Sequence, residues 1–324
     1  MNESKLRELY AKRGVSEHAT EVAIHACQQF EKAMQKQGVS FETVTVDFIR
    51  SYIKNLIEHG ENDLTTLVAL ARYFLLIGRN EIYVYFTSLV GGRGVIENIT
   101  ERVATYQGTE VAETLKERTG KLPLGTDPEQ QPEFTANFME ELKKLVPAEK
   151  IGCIMAGNNH GIPREAFLKD KLRYEELGSL DEFLVDFHKR KVAELQEHCD
   201  NGTVWYEQTI TQEVVDFVAG NQEILSAVRE GNTLYITKIP YDPATYLHLT
   251  DPKMIRYYAC HCPFVREAIL KGEPQIPGEW CNCSAGFEKF PFDVILDRDH
   301  KAKVIASALK GDPLCRFAID LQGG

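Results

Sequence analysis

At 324 residues the chain is longer than one hydrophobic core usually organises, so two domains or one large composite domain are expected. A composition of 43% hydrophobic and 26% charged residues is that of a folded globular protein and excludes a long disordered tract. The net charge of −11, with no segregated Lys/Arg cluster, excludes nucleic acid as a partner.

The opening "MNESKLRELYAKRG" carries charges throughout and no apolar core, so it is neither a secretory signal nor a transit peptide, and the expected location is the cytoplasm. Ser16 is a helix N-cap, and the helix behind it places Val22, Ala26 and Phe30 on one face and stops at Gly38. A second helix buries Phe48, Ile49, Tyr52, Ile53, Leu56 and Ile57 and ends at Gly60. The third, Asp63 to Leu76, is apolar on most sides and should be central. Its run "LTTLVALARYFLLIG" is interrupted by Arg72 and falls short of the roughly 20 residues a bilayer needs, so no membrane is expected as a partner. In "LVGGRGVIENI", Glu97 stands where a dinucleotide fingerprint needs Gly, and no Gly-Lys-Ser/Thr follows, so this is an interhelical turn. Residues 94–107 and 110–118 extend the helical pattern, which gives a helical domain over residues 1–130.

The stretch "TGKLPLGTDPEQQPE", with three prolines and two glycines, reads as the linker to a second domain, residues 131–324. A helix at 134–145 and an irregular loop, "IGCIMAGNNHGIPRE", come first. Ser179 and Glu182 then form a capping box ahead of a helix carrying Phe183, Phe187 and Leu195. On that helix Glu194 and His198 are four apart, but no second His completes a zinc motif, so they read as a solvated face. After Asn201-Gly202 the grammar changes. The spacing predicts a strand in "TVWYEQTI", a helix in "QEVVDFVAGNQEILSAVREG" and a strand in "NTLYITKIPY". A strand through 257–262, a strand leading into a helix at 280–295, and a hairpin "AKVIASAL-KGDP-LCRFAIDL" with a Gly-Asp turn follow. The fold class is α+β: an N-terminal helical bundle followed by an α+β domain with an antiparallel sheet.

Five of the eight cysteines fall at or after residue 260, four of them in "YYACHCPFVREAI" and "EWCNCSAGF". In a reducing compartment these are thiols, metal ligands or redox groups before they are disulfides. On a strand, side chains two apart share a face, so Cys260 and Cys262 aim together while His261 points away; the same holds for Cys281 and Cys283, with Cys315 as a fifth thiol. Such a set suits zinc, although Cys-x-Cys is not the usual knuckle spacing. A nucleophilic reading competes: Cys283 precedes Ser284, a good N-cap, so its sulfur would sit at a helix N-terminus that favours the thiolate. His160 or His261 would be the base, and His160 shares its polar loop with Cys153. Simple burial of the thiols is the third reading, and the one that fits Cys27. Tyr257, Tyr258, Trp280 and Phe287 flank the cysteines and are candidates to line an apolar pocket, though aromatics on strands are more often core.

"WCNCSAGF" followed by the hairpin with "KGDPLCRFAIDL" resembles the 4-vinyl reductase domain, a superfamily of small-molecule-binding modules that includes the sensor domains of phenol-responsive transcription activators. It also resembles the family named for L-2-amino-thiazoline-4-carboxylic acid hydrolase, which shares the closing Gly-Asp-x-x-Cys-x-Phe signature. The likeness covers roughly the last 120 residues. It implies a pocket between sheet and helices for a small ligand, and in the sensor relatives a zinc site. Cys281 and Cys315 match two of the zinc ligands, whereas Val304 and Ser307 stand where a Glu and a Cys should be. Either Cys260, Cys262 or Cys283 completes the coordination, or the site is a thiol site.

The leading expectation is a small-molecule-binding protein with a zinc-thiolate site, and the alternative a cysteine- or metal-dependent hydrolase of a small heterocyclic or sulfur-containing substrate. A homodimer is compatible with either.

Overall fold

The computed structural model describes residues 1–322. The chain divides into two compact units, the first formed by Met1–Arg93 with Leu122–Gln131, the second by residues 94–121 and 132 onward.

The first unit is all helix: α1 (Glu3–Lys12), α2 (Glu17–Gln35), α3 (Val46–His59), α4 (Leu64–Leu76) and α5 (Asn80–Val90). Each of the first four begins where a side chain takes up an orphan N–H: Asn2, Ser16, Thr45 and Asp63 accept from Lys5, Ala19, Phe48 and Thr66. Gly60 closes α3 in the left-handed conformation, at φ 69°. The core centres on Phe30, whose ring lies 4.9–5.9 Å from those of Phe41, Phe48, Tyr52 and Phe74. As its composition predicts, α4 is buried on most sides, through Leu67, Ala69, Leu70, Ala71, Tyr73 and Phe74. Val22 is an exception to the sequence reading. The buried stripe of α2 runs through Ala23, Ile24, Cys27, Phe30 and Met34, which leaves Val22 on the outward side, 41% exposed.

The Pro/Gly-rich stretch is no free tether. Asp127 accepts from Arg50 Nε (2.6 Å) and the Tyr85 hydroxyl (2.7 Å), Asn62 donates to the Leu124 carbonyl, and Gly125 (φ 87°) passes so close to α3 that a Cβ would lie 2.9 Å from Ile53. Residues 122–131 are therefore part of the first unit, and residues 94–121 are grouped with the second.

The second unit opens with α6 (Val95–Gln107), α7 (Thr109–Thr119), α8 (Gln131–Leu145, whose first residue is counted with the first unit), α9 (Ala148–Met155), α10 (Leu168–Leu177) and α11 (Leu180–Asp200). Ser179 caps α11 by accepting from the Glu182 N–H, as the sequence predicts. A small hairpin, β1 (Val204–Trp205) and β2 (Gln208–Thr209), is followed by α12 (Gln212–Ala219), an irregular turn α13 (Glu223–Ser226), β3 (Val228–Glu230), β4 (Thr233–Thr237), α14 (Pro243–Tyr246), α15 (Pro252–Ala259), α16 (Arg266–Lys271), α17 (Asn282–Ile295), β5 (Lys301–Ala306) and β6 (Arg316–Asp320). The larger sheet is antiparallel in the order β3-β4-β6-β5. Cross-strand pairs Leu234–Ile319 and Ile236–Phe317 supply its buried face. The chain is thus α+β, and the closing hairpin forms, with a bulge between Val304 and Ala306.

Four local predictions are corrected. The stretch 203–210 is not one strand but two short ones, β1 and β2, folded back on each other at Tyr206-Glu207. The segment 212–231 is not one helix: α12 stops at Ala219 ahead of Gly220-Asn221, and the chain then turns into β3. Residues 257–262 are not a strand but the end of α15 and a loop. The helix is started by Asp251, whose carboxylate accepts from the Lys253 and Met254 N–H groups, and by Pro252 in its first turn. Before α17 there is no strand but a 3₁₀ turn, Gly278–Cys281. Among the described residues no helix is long and apolar enough to cross a membrane.

Candidate functional site

Cys281 and Cys283 straddle the start of a helix and so do not share a face as they would on a strand, whereas Cys260 and Cys262 follow the end of α15 in extended and irregular backbone and lie within each other's field. Residues two apart on a helix point about 200° from one another. Cys281 closes the 3₁₀ turn and bonds toward Ser307, within the field of Cys315 and Cys262. Cys283, in the first turn of α17, faces the other way, with its Sγ 3.8 Å from His160 Nε2.

That approach is built from backbone. At Gly286, one turn along α17, a Cβ would lie 2.3 Å from the Gly157 carbonyl oxygen and 2.6 Å from the Ala156 carbonyl carbon, so the helix rests directly on the loop leaving α9. The loop itself is pinned. Arg102 donates to the Ile154 and Cys153 carbonyls (2.7 and 2.8 Å), which caps the end of α9. Asn98 Nδ2 donates to the Asn159 carbonyl at 2.8 Å. Asn158 bonds both the N–H and the carbonyl of Ile162, and Asn159 Nδ2 donates to the Met155 carbonyl at 2.5 Å. His160 is thereby held over α17, its ring 5.1 Å from Phe287 in an edge contact.

Burial, reinforced by the Lys238 ammonium, pushes His160 down to about 4, so its imidazole is neutral at neutral pH. Burial, reinforced by the Cys262 thiol, pushes Cys283 up to about 12, against the opposing pull of Asn159 and Lys238. The pair therefore rests as thiol and free imidazole, which answers the expectation of a thiolate at the helix start: desolvation outweighs the helix dipole.

Cys260, Cys262, Cys281 and Cys315 lie within one another's field, and Cys262 acts on Cys283 as well. Cys260 ends α15 and is buried; its thiol is raised by burial first and then by Cys315, Cys262 and Cys281. Cys262, two residues on, accepts from Trp280 Nε1 at 3.3 Å. Cys315 accepts from the Ala308 N–H at 3.5 Å, and its carbonyl accepts from the Lys238 N–H at 2.9 Å, which ties it to the end of β4. Thiols from the end of α15, the start of α17 and the approach to β6 thus share one neighbourhood. Among the described residues no three His, Cys, Asp or Glu side chains are arranged to hold a metal ion.

His261 does not face Cys283. Its Nε2 is 2.6 Å from the Ile239 carbonyl, and burial with Lys238 nearby pushes it down to about 3, so it is a neutral ring donating to a backbone oxygen. Of the aromatic candidates, Trp280 and Phe287 border the site. Tyr257 donates to Glu267 (2.8 Å), and its ring lies 5.2 Å from that of Tyr258. Cys153 is exposed and bonds the Tyr106 hydroxyl, while its loop neighbour His160 serves Cys283.

Three polar side chains, Arg266 and Asn159 buried and Lys238 half-buried, escaped the sequence reading. Lys238, one residue beyond β4, lies 3.4 Å from Glu288 and 4.6 Å from the Phe287 ring centre, both on α17; its charge acts on Cys262, Cys283, Cys315 and both histidines. Burial opposes that charge, but Glu288, Cys315 and Cys262 hold Lys238 above its ordinary value. Arg266, 8% exposed, stacks on Tyr241 at 3.9 Å. Asn159 is fully buried, and its Oδ1 has no hydrogen-bond partner among the described residues. A lysine immediately after an alternating strand and a tandem Asn ahead of His160 were the available signals.

Comparison of the chain with protein-family models, with curated proteins and with solved structures gave no match. Fold and site define an α+β protein with a buried centre of thiols, two neutral imidazoles and one lysine–glutamate pair.

Proposed function

We propose that the second unit is a small-molecule-binding module acting as a cysteine-dependent hydrolase, with Cys283 as nucleophile and His160 as base. The observation that carries this is the 3.8 Å approach of two side chains 123 positions apart, enforced by the Gly286 contact. In the reaction, Cys283 Sγ bonds to an electrophilic substrate carbon while its proton passes to His160 Nε2. The proton then goes to the departing nitrogen or sulfur. Water, giving a proton to His160, attacks the same carbon and breaks the Sγ–C bond, and His160 returns that proton to the departing Cys283 sulfur, restoring thiol and free imidazole. The likeness of the closing hairpin to 4-vinyl reductase modules supports a small ligand; His261 is assigned a supporting role on the Ile239 carbonyl.

The test is mass-spectrometric mapping of iodoacetamide alkylation of the native protein at neutral pH. Cys283 should react faster than Cys260, Cys262, Cys281 and Cys315, and His160→Ala should remove that advantage by about 10²-fold, the usual scale of a positioned base. Equal rates at all five, or no effect of the histidine substitution, overturn the assignment.

A second reading is favoured by the mutual proximity of the other four thiols. Cys260, Cys262, Cys281 and Cys315 are by chemistry a soft donor set of the kind zinc takes, and their side chains would have to turn toward a common point to hold it. Elemental analysis giving one zinc per chain, lost in a Cys260→Ser/Cys281→Ser double variant, would establish it; protein purified without metal and unable to take up added zinc would dismiss it.

A further inference from the structure

We infer that Asn159 is a ligand-binding residue of this site, taking a hydrogen bond on its Oδ1 from an N–H of the molecule that Cys283 attacks. The inference rests on the Cys283–His160 reading and adds to it the class of ligand: a small molecule with an N–H donor next to its electrophilic carbon, such as an amide or amidine.

The argument is one of accounting for a buried polar group. Asn159 is fully buried, and a buried acceptor without a partner costs about 1–3 kcal/mol. Its Oδ1 has none among the described residues. The amide cannot relieve this by turning over, because the exchange would set Oδ1 against the Met155 carbonyl, which now accepts from Nδ2 at 2.5 Å. Nor can the residue back away, since its own carbonyl is held by Asn98 Nδ2. The same amide lies against the Cys283 sulfur, where it favours the thiolate, and His160 follows it in the chain. An orphan acceptor fixed beside a nucleophile and its base is placed where a substrate's donor would come to rest.

Two alkylating reagents that share a reactive carbon separate the outcomes: iodoacetamide, which carries N–H donors, and 2-iodo-N,N-dimethylacetamide, which carries none. Exposed Cys153 provides the internal reference for their intrinsic rates. In the native protein the rate ratio, iodoacetamide over the dimethyl reagent, should be about 3–10-fold higher at Cys283 than at Cys153, the size expected of one hydrogen bond. Asn159→Leu, which removes the acceptor, should bring that excess close to one, whereas Asn159→Asp, which keeps an acceptor oxygen, should retain it. Urea denaturation of both variants identifies any loss of fold, in which case the comparison within the native protein decides. An equal ratio at the two cysteines of the native protein, or an excess that survives in a folded Asn159→Leu variant, overturns the inference and leaves the nucleophile assignment standing. If neither reagent modifies Cys283 in the native protein, both readings fall together.

Discussion

Gly286→Ala puts the crossing of α17 over the α9 loop to a direct test. A methyl group there would sit 2.3 Å from the Gly157 carbonyl oxygen and 2.9 Å from the Ala156 carbonyl oxygen. Ordinary contact is about 3.5 Å or more, so one of two backbone segments must move by roughly 1 Å. Overpacking of this kind costs about 1–3 kcal/mol, and backbone neighbours put it toward the upper end. Alanine returns about 1 kcal/mol of helix propensity, which leaves a net loss of about 1–2 kcal/mol. Gly152, inside α9, is the matched control, because a Cβ there meets nothing within 4 Å among the described residues. Gly152→Ala should therefore stabilise by about 0.5–1 kcal/mol. Urea denaturation followed by tryptophan fluorescence reads this unit directly, since the two tryptophans of the chain, Trp205 and Trp280, both lie in it. The variants should move the midpoint in opposite directions. Gly286→Ala should also slow iodoacetamide at Cys283, because separating the helix from the loop draws His160 away. A Gly286→Ala protein as stable as the parent would refute the close packing and, with it, the basis for the thiol–imidazole pair.

Two other outcomes concern single interactions. Asp127 is held below its ordinary pKa: burial works to raise it, but Arg50, the Glu129 N–H and Tyr85 prevail. A carboxyl depressed by folding contributes stability above its unfolded pKa and loses it as pH falls through the folded value. Asp127→Asn should thus cost about 1–3 kcal/mol at pH 7 and progressively less on acidification below about pH 4, read as urea midpoints at each pH. Cys262→Ala deprives the buried Trp280 Nε1–H of its acceptor, with an expected loss of about 1–2 kcal/mol and a change in Trp280 emission that Cys262→Ser should largely reverse.

The helical first unit was readable because its signals are local. Ser16, Asp63 and Gly60 mark helix ends by groups that satisfy or release backbone bonds within three or four residues, and the structure puts the ends there. The cysteine segments misled for the same reason in reverse. Tyr257, Tyr258 and the alternating thiols favour a strand by composition, yet Asp251-Pro252 a few residues earlier is a helix start, and the chain obeyed it as far as Ala259. Ser284 is an attractive N-cap in isolation, but the 3₁₀ turn at Gly278 already supplies the helix entry, so Ser284 falls inside α17. The convergence of His160 with Cys283 had no local signal. It depends on Gly286 meeting Gly157, a contact across 129 positions that neither glycine's immediate neighbours announce. Lys238 and Asn159 were hidden likewise, since burial of a polar side chain is decided by what packs on it.

The strand order has a bearing on how the molecule comes into being. β6 lies between β4 and β5 yet follows both in the chain, so during synthesis β5 has no partner strand and β4 is paired on one edge alone, with β3, until residues 316–320 emerge. Cys315 arrives at the same moment. A chain released early, short of this last strand, would present two hydrogen-bonding edges side by side with nothing between them, a state prone to pairing with other chains, and would lack one thiol of its centre.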